Sequence, residues 1–448
     1  MRTIIYSTCF IILLLVNLPL QTSALASSAI INVKAFGAKG DGITDDYGAL
    51  LNAISTLNRN GSGTLFFPKG NYLLNVHHTK GSELKDIIIE NCKNVVVQGQ
   101  DAIITLNGKF NRTADYKRKS YYYSYASAII PLTFKNCYNV TVKNLEINGN
   151  VNLMRRDKHV AESGGHLIRF LSTSNVLMEN VFVHHGQTDG IYINRKCKDF
   201  KFLNVRSTNN ARQGMSIIEL EKGVFNSCEF SFNGVTNGSY AGHLPKAGVD
   251  IEPTAATGQV VKDVSFFNCK FEGNAGAQFI TSQPKTTSNI RIDKSIFDAK
   301  GSSSKYQLIL SSRMLSIVNC SINLGNGDLY PLWKKFSGSS TRIEDSKITG
   351  SSKGIFAVTN DQSNEVILKN NRIIFTGKSL NTYFPYLQVR NLTFTKNRIE
   401  FPSSALKGKK VSSMIHNGLI SADNVFLSDG LKIKSPASYK GTKIVKDK

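Results

Sequence analysis

Acidic residues are scarce in this 448-residue chain: 32 Asp and Glu stand against 55 Lys and Arg, a formal net charge of +23. That shortage argues against a basic partner and for an anionic one: an acidic polysaccharide, an anionic cell envelope or nucleic acid. No recognisable nucleic-acid reading module is present, so nucleic acid is the weakest of the three. Beyond the first residues no apolar run approaches the ~20 residues of a membrane span. Cysteine is too sparse for a disulfide scaffold, with seven in the chain and Cys9 inside the first apolar stretch. His184 and His185 lack the companion ligands that zinc needs.

What is present begins with Met1-Arg2 and an apolar run through Phe10 to Val16, ending at Ala24-Leu25-Ala26. A charged start, an apolar centre and a small-x-small end describe a secretory signal peptide over 1–26, and so a secreted or periplasmic protein. The remainder divides into a capping segment (27–75), a long repetitive body (76–430) and a Lys-rich tail (431–448).

The body repeats a phrase of alternating apolar residues, a polar break and one small slot. Val181, Val205, Cys228, Cys269, Ser295, Cys320, Ser346, Asn371, Asn397 and Asn424 fill that slot, at steps of 23 to 27 residues except for the 41 between Cys228 and Cys269. Each unit carries three short runs of period-two alternation and has no room for a helix, which predicts an all-β right-handed parallel β-helix, a solenoid of stacked coils. Asn144, Asn180, Asn204, Asn268, Asn319 and Asn370 then stack at one turn as a structural ladder. Cys92, Cys137, Cys197, Cys228, Cys269 and Cys320 read as buried, reduced ladder residues.

Ahead of the coils, Asp45 or Thr44 can cap a short helix whose apolar face is Ala49, Leu50, Ala53, Ile54 and Leu57. That helix plugs the open end of the stack. Asp41, Asp45 and Asp46 lack the later bidentate Glu of a calcium loop, so capping is their favoured role. The opening Phe36-Gly37-Ala38-Lys39-Gly40-Asp41-Gly42 with Thr44-Asp45-Asp46, then Leu65-Phe66-Phe67-Pro68-Lys69-Gly70-Asn71-Tyr72, resembles the start of pectate-lyase-like and polygalacturonase-like right-handed β-helix proteins. The resemblance implies the fold across the mature chain. It implies much less about activity, because that fold carries hydrolases, lyases, epimerases and binders.

Three insertions, 107–128, 149–165 and 233–247, each precede the strand that opens a coil and are expected to wall one groove. Tyr116, Tyr121, Tyr122, Tyr123 and Tyr125 offer stacking faces there, and Arg112, Lys117, Arg118, Lys119, Arg155, Arg156, Lys158 and Lys246 offer charge. Beneath them lie Asp189, Asp250 and Glu252, with Val249 and Ile251 pointing inward so that both later carboxylates point outward. These three are the candidate catalytic residues, and Arg212, His185, Tyr192 and Lys246 the candidate substrate-binding ones. Strand alternation sends the rings of His184 and His185 to opposite sides. Thr188-Asp189-Gly190-Ile191 is similar to the Asn-Thr-Asp-Gly motif of polygalacturonases, which implies a catalytic Asp189. The next coil has Ala211-Arg212-Gln213-Gly214 where that family has Gly-Asp-Asp, and its Gly-His-Gly and Arg-x-Lys motifs are missing.

The expectation is a protein that cleaves an anionic, uronate-containing polysaccharide by hydrolysis or β-elimination, with no cofactor required. A calcium-assisted elimination would use Asp189, Asp250 and Glu252 as oxygen ligands. The alternative is a non-catalytic polysaccharide-binding or envelope-matrix protein on the same scaffold.

Overall fold

The computed structural model describes residues 29–75, 84–107, 112–118, 121–126, 128–153, 162–235, 244–281, 283–332, 337–351, 355–359, 361–377, 386–389, 391–401, 415–416, 425–428 and 443–445. The expected signal peptide over 1–26, the basic side chains at 155, 156 and 158, the hairpin tyrosines' side chains and most of the tail lie outside this set. The described residues form the expected right-handed parallel β-helix. Every pairing between named strands is parallel except one hairpin, Arg112–Arg118 with Tyr121–Ala126.

Each coil contributes a strand to three faces. The face that opens a coil runs, in chain order, through Leu84–Glu90, Ala128–Lys135, Ile168–Leu171, Ile191–Asn194, Met215–Ile217, Val249–Ile251, Phe279–Thr281, Tyr306–Leu310 and Asp328–Tyr330. Its register places Thr133, Arg169, Tyr192, Ser216, Asp250, Ile280 and Ile309 in one outward row. The residues on either side of that row, such as Ile168, Phe170, Ile191, Ile193, Val249 and Ile251, are buried in the core.

Inside, aromatic rings stack from coil to coil. Phe134 stacks on Phe170 (5.2 Å), Phe225 on Phe266 (4.7 Å) and Phe271 on Phe297 (4.8 Å). Such pairs contribute about 0.5–1.5 kcal/mol each beyond the area they bury. All six described cysteines are free and buried. They form two columns rather than one: Cys137 and Cys197 donate to Ile89 O and Phe170 O, and Cys228 and Cys269 to Phe202 O and Phe225 O. Burial pushes the Cys197 and Cys320 thiols up to about 12, which makes them poor nucleophiles.

The expected asparagine ladder forms among Asn144, Asn180 and Asn204, whereas Asn268, Asn319 and Asn370 donate to Asn226, Asp293 and Asp345. Asn204 Nδ2 donates to Asn180 Oδ1 (2.8 Å), and Asn180 Nδ2 to Asn144 Oδ1 (3.2 Å). Each ladder residue has φ of 52 to 55°, the left-handed region that Asn tolerates best among non-glycine residues.

The helix Tyr47–Asn60 buries Leu50, Ala53, Ile54 and Leu57 at the end of the stack. Asn58 docks it, donating to Ile88 O and accepting from Glu90 N. Its cap residue is Asp46, one position later than expected. The Asp46 carboxylate instead holds Lys39 N and Gly40 N, while Asp45 accepts from Tyr47 N. Asp41 is taken up by Ile43 N, Thr44 N and the Thr44 hydroxyl, which lower its carboxyl to about 2.

Candidate active site

The outward row of the opening face carries the densest set of paired polar groups among the described residues. Asp189 sits just before Ile191–Asn194 and is 0% exposed. Arg212 Nη1 reaches both of its oxygens (3.1 and 3.3 Å), His166 Nδ1 lies 3.3 Å from Oδ2, and the Ser216 hydroxyl 2.9 Å from the same oxygen. Burial alone would raise this carboxyl. The Arg212 guanidinium, His166 and Ser216 together outweigh it and hold Asp189 below the usual range.

Asp250, expected outward and accessible, is outward but only 4% exposed. Gln213 Nε2 donates to its Oδ2 at 2.8 Å, while Oδ1 is buried with no partner. Burial first, then the neighbouring Glu252, push its carboxyl well above the usual range. A carboxyl pushed toward its protonated form thus lies in the same cluster as one held toward its ionised form. Glu252 keeps 33% of its side chain in solvent and meets Arg212 Nη2 at 3.4 Å.

Arg212 is a clamp more than a free ligand-binding group. Nη1 holds Asp189, Nη2 holds Glu252 and Nε donates to Leu244 O (3.3 Å) at the end of the third insertion. Lys246 belongs to that rim, where its carbonyl accepts from Gly276 N. Its ammonium makes no described contact with the carboxylates.

Tyr192 stacks on His166, with ring centroids 4.3 Å apart and planes 17° from parallel. Because ionised Asp189 can only accept, His166 Nδ1 carries the hydrogen of that contact, and whenever the ring is neutral Nε2 is its acceptor. Tyr192 Oη accepts from Asn194 Nδ2 (2.9 Å), and its own hydrogen has no acceptor among the described residues. Burial raises the phenol, and Asp189 and Glu252 add to this, against the Asn194 bond and Arg169. Arg169, one coil before Tyr192 in register, is held by Asp86, whose other oxygen accepts from Thr133 Oγ1.

His185 does not join this site. It takes φ of 54° at the end of the strand Ser174–His184, so strand alternation fails there and the two rings meet, Nδ1 to Nδ1, at 2.6 Å. His184 Nε2 in turn lies 3.1 Å from Glu146. Burial lowers both imidazoles.

The structure therefore brings together Asp189, Arg212, Tyr192, Asp250 and Glu252 and leaves out His185 and the Lys246 ammonium. His166, Arg169, Gln213 and Ser216 are members that the sequence reading missed. Their signal is positional: Arg169 and Ser216 occupy the same outward slot as Tyr192 and Asp250 on successive coils, visible only once register is known. A calcium ion coordinated by Asp189 would have to displace Arg212. No group of three His, Cys, Asp or Glu suited to a metal occurs among the described residues. Nor does any described helix have the length and apolarity to cross a membrane.

The first two insertions meet in one small sheet, where Glu162 and Ser163 pair with Tyr125 and Ala126. The hairpin register sets Tyr116 opposite Tyr123 and Arg118 opposite Tyr121. The third insertion meets the site through Leu244.

Comparison with known proteins supports the architecture. A family model described as rhamnogalacturonase A/epimerase, pectate lyase-like, matches residues 30–78. Alginate lyase 7 of Azotobacter vinelandii is 29% identical over 221 residues, 42% of this chain and 23% of that protein. A non-secreted LysM effector of Penicillium expansum is 50% identical over 50 residues, 11% of this chain and 4% of that protein. The chain thus spans under a quarter of the length of these curated relatives. Among solved structures, the A-module of the Azotobacter vinelandii mannuronan C-5 epimerase AlgE6 superposes over 90% of this chain and 100% of its own, at a TM-score of 0.52 and 18% identity. At that identity the likeness speaks for the fold.

Proposed function

With a right-handed parallel β-helix that opens like the pectate-lyase-like proteins as the premise, we propose that this chain acts on a uronate-containing polysaccharide. Its first chemical step is removal of the proton at C5, next to the sugar carboxylate. The observation that carries this reading is the stacked His166–Tyr192 pair with Arg169 beside it. A C–H next to a carboxylate is a very weak acid, so the step needs a base, a proton donor and a cation to neutralise the carboxylate. In its neutral form His166 offers Nε2 as an acceptor on a ring oriented by buried Asp189, much as a carboxylate orients a catalytic imidazole. The Tyr192 hydroxyl offers the free hydrogen. Arg169 supplies the charge.

In elimination, the C5–H and C4–O bonds break, the C4=C5 double bond forms, and the departing oxygen takes a proton from the site. In epimerisation, the proton returns to C5 from the other side. Both share the first step, and relatives named for each chemistry, a lyase and a C-5 epimerase, favour it over hydrolysis. Hydrolysis fits less well, because it needs two accessible carboxyl groups. Asp189 and Asp250 are buried and engaged, which leaves only Glu252 open. Asp189 and Arg212 then act as positioning residues, and the basic insertions draw in the polyanion. Export by the leader would place the protein where such polymers occur.

A screen of acidic polysaccharides that follows reducing ends and unsaturated-uronate absorbance tests this. Unsaturated ends or inverted C5 centres are expected. Reducing ends alone would mean hydrolysis, and binding without turnover would mean the non-catalytic alternative.

A further inference from the structure

Beyond the groups of the outward row, Tyr192 is tied to its surroundings by a run of hydrogen bonds whose direction is fixed at every step. Asn194 Oδ1 accepts from the backbone N–H of Arg195 at 2.7 Å. A backbone N–H can only donate, so this bond decides which end of the amide is oxygen and leaves Nδ2 turned toward Tyr192 Oη, 2.9 Å away. The same Oδ1 accepts from Gln259 Nε2 at 3.0 Å. Gln259 is fixed the same way, because its Oε1 accepts from the backbone N–H of Thr254 at 2.9 Å. Both amides are anchored by main-chain donors, and both point their NH₂ groups along one path to the phenol oxygen. Thr254 and Gln259 flank the short 3-10 turn Ala255–Thr257, which follows the strand Val249–Ile251 that carries Asp250, with Glu252 just beyond its end. The path therefore joins the acidic end of the site to its phenol, across 65 residues of sequence.

We propose that Asn194 and Gln259 are positioning residues for Tyr192, holding its oxygen as an acceptor so that its own hydrogen is left for a ligand on the outward row. The inference rests on the reading of Tyr192 as the proton-transferring group. A donor that meets the phenol oxygen stabilises the phenolate formed when Tyr192 gives up its proton, and it stops the hydroxyl from turning back into the protein. Asn194→Asp keeps the shape but places an acceptor where the donor stood. Gln259→Leu cuts the path one step further out and leaves every groove-facing group in place.

The test uses the full chain labelled at the tyrosine ring carbon that bears the hydroxyl, with the Tyr192 signal assigned by its loss in Tyr192→Phe. Both variants are expected to move the Tyr192 titration upward, Asn194→Asp by more. Turnover of a polyuronate should fall by roughly tenfold in kcat, with KM within about twofold and the alkaline limb of the pH profile moved up. Tyr192 titrating as in the parent in both variants, with kcat unchanged, would overturn the proposal. If Asn194→Asp does not fold, Gln259→Leu decides alone. The titration needs no substrate, so it judges the hydrogen-bond path even where no polyuronate is turned over. Full activity of Tyr192→Phe would instead reject the catalytic reading and leave the path standing as structure.

Discussion

Two edges of this β-helix stack side-chain amides, and they use them differently. At the exposed turn, Asn144, Asn180 and Asn204 meet like with like: Asn204 donates to Asn180 and Asn180 to Asn144, and all three adopt the same left-handed φ. At the edge that opens the site face, Asn210, Asn233, Asn274, Gln278 and Gln307 form a comparable ladder, wholly buried. Beside it the pattern breaks into unlike neighbours: Asp189 against Arg212 and His166, Gln213 against Asp250, Asn194 against a phenol. A ladder of identical residues satisfies itself and offers nothing to a ligand. Unlike groups held in a fixed array leave one proton unaccepted and one carboxyl pushed toward its protonated form, which is what proton-transfer chemistry uses.

The sharpest way to break this contrast is Arg212→Ala. It strands Asp189 as an uncompensated buried charge, at a cost of about 3–5 kcal/mol read from urea denaturation. Adding Asp189→Asn should restore much of that stability, whereas a general packing defect at Arg212 would leave the double variant as unstable as the single one. Asp250→Asn probes the neutral carboxyl. Asp250 binds its proton more tightly folded than unfolded, so stability of the parent falls as pH rises from the unfolded value near ~4 toward the raised folded one. Denaturation at several pH values should show the variant gaining on the parent across that window; a constant difference would mean that Asp250 is not held neutral. The mildest change is Asn180→Ala at the exposed ladder. About 1 kcal/mol is expected, from the lost amide bonds and a left-handed φ that Ala tolerates poorly, with no change in turnover.

The same contrast explains what could be read from the chain alone. The stack was legible because Val181, Cys228, Cys269 and Asn371 fill one slot at a regular step, and the helix because Leu50, Ala53, Ile54 and Leu57 share a face. Asp250 and Glu252 could be placed outward from their buried neighbours Val249 and Ile251. The exposure of Asp250 could not, because Gln213 comes from another coil. Arg169, Ser216 and His166 were invisible for the same reason: intervals interrupted by insertions hide which residue of one coil sits above which of the next. At His185 the alternation rule itself failed, because a left-handed residue ends the strand and turns the ring back toward His184.

The central claim is that the face around His166 and Tyr192 removes the C5 proton of a uronate. Nuclear magnetic resonance of the products formed from a polyuronate in deuterated water, with the parent and with Tyr192→Phe, addresses it most directly. C4=C5 unsaturated ends or deuterium at C5 are expected with the parent, and a loss of at least ~100-fold with the variant. New reducing ends with C5 saturated, undeuterated and of unchanged configuration would contradict it.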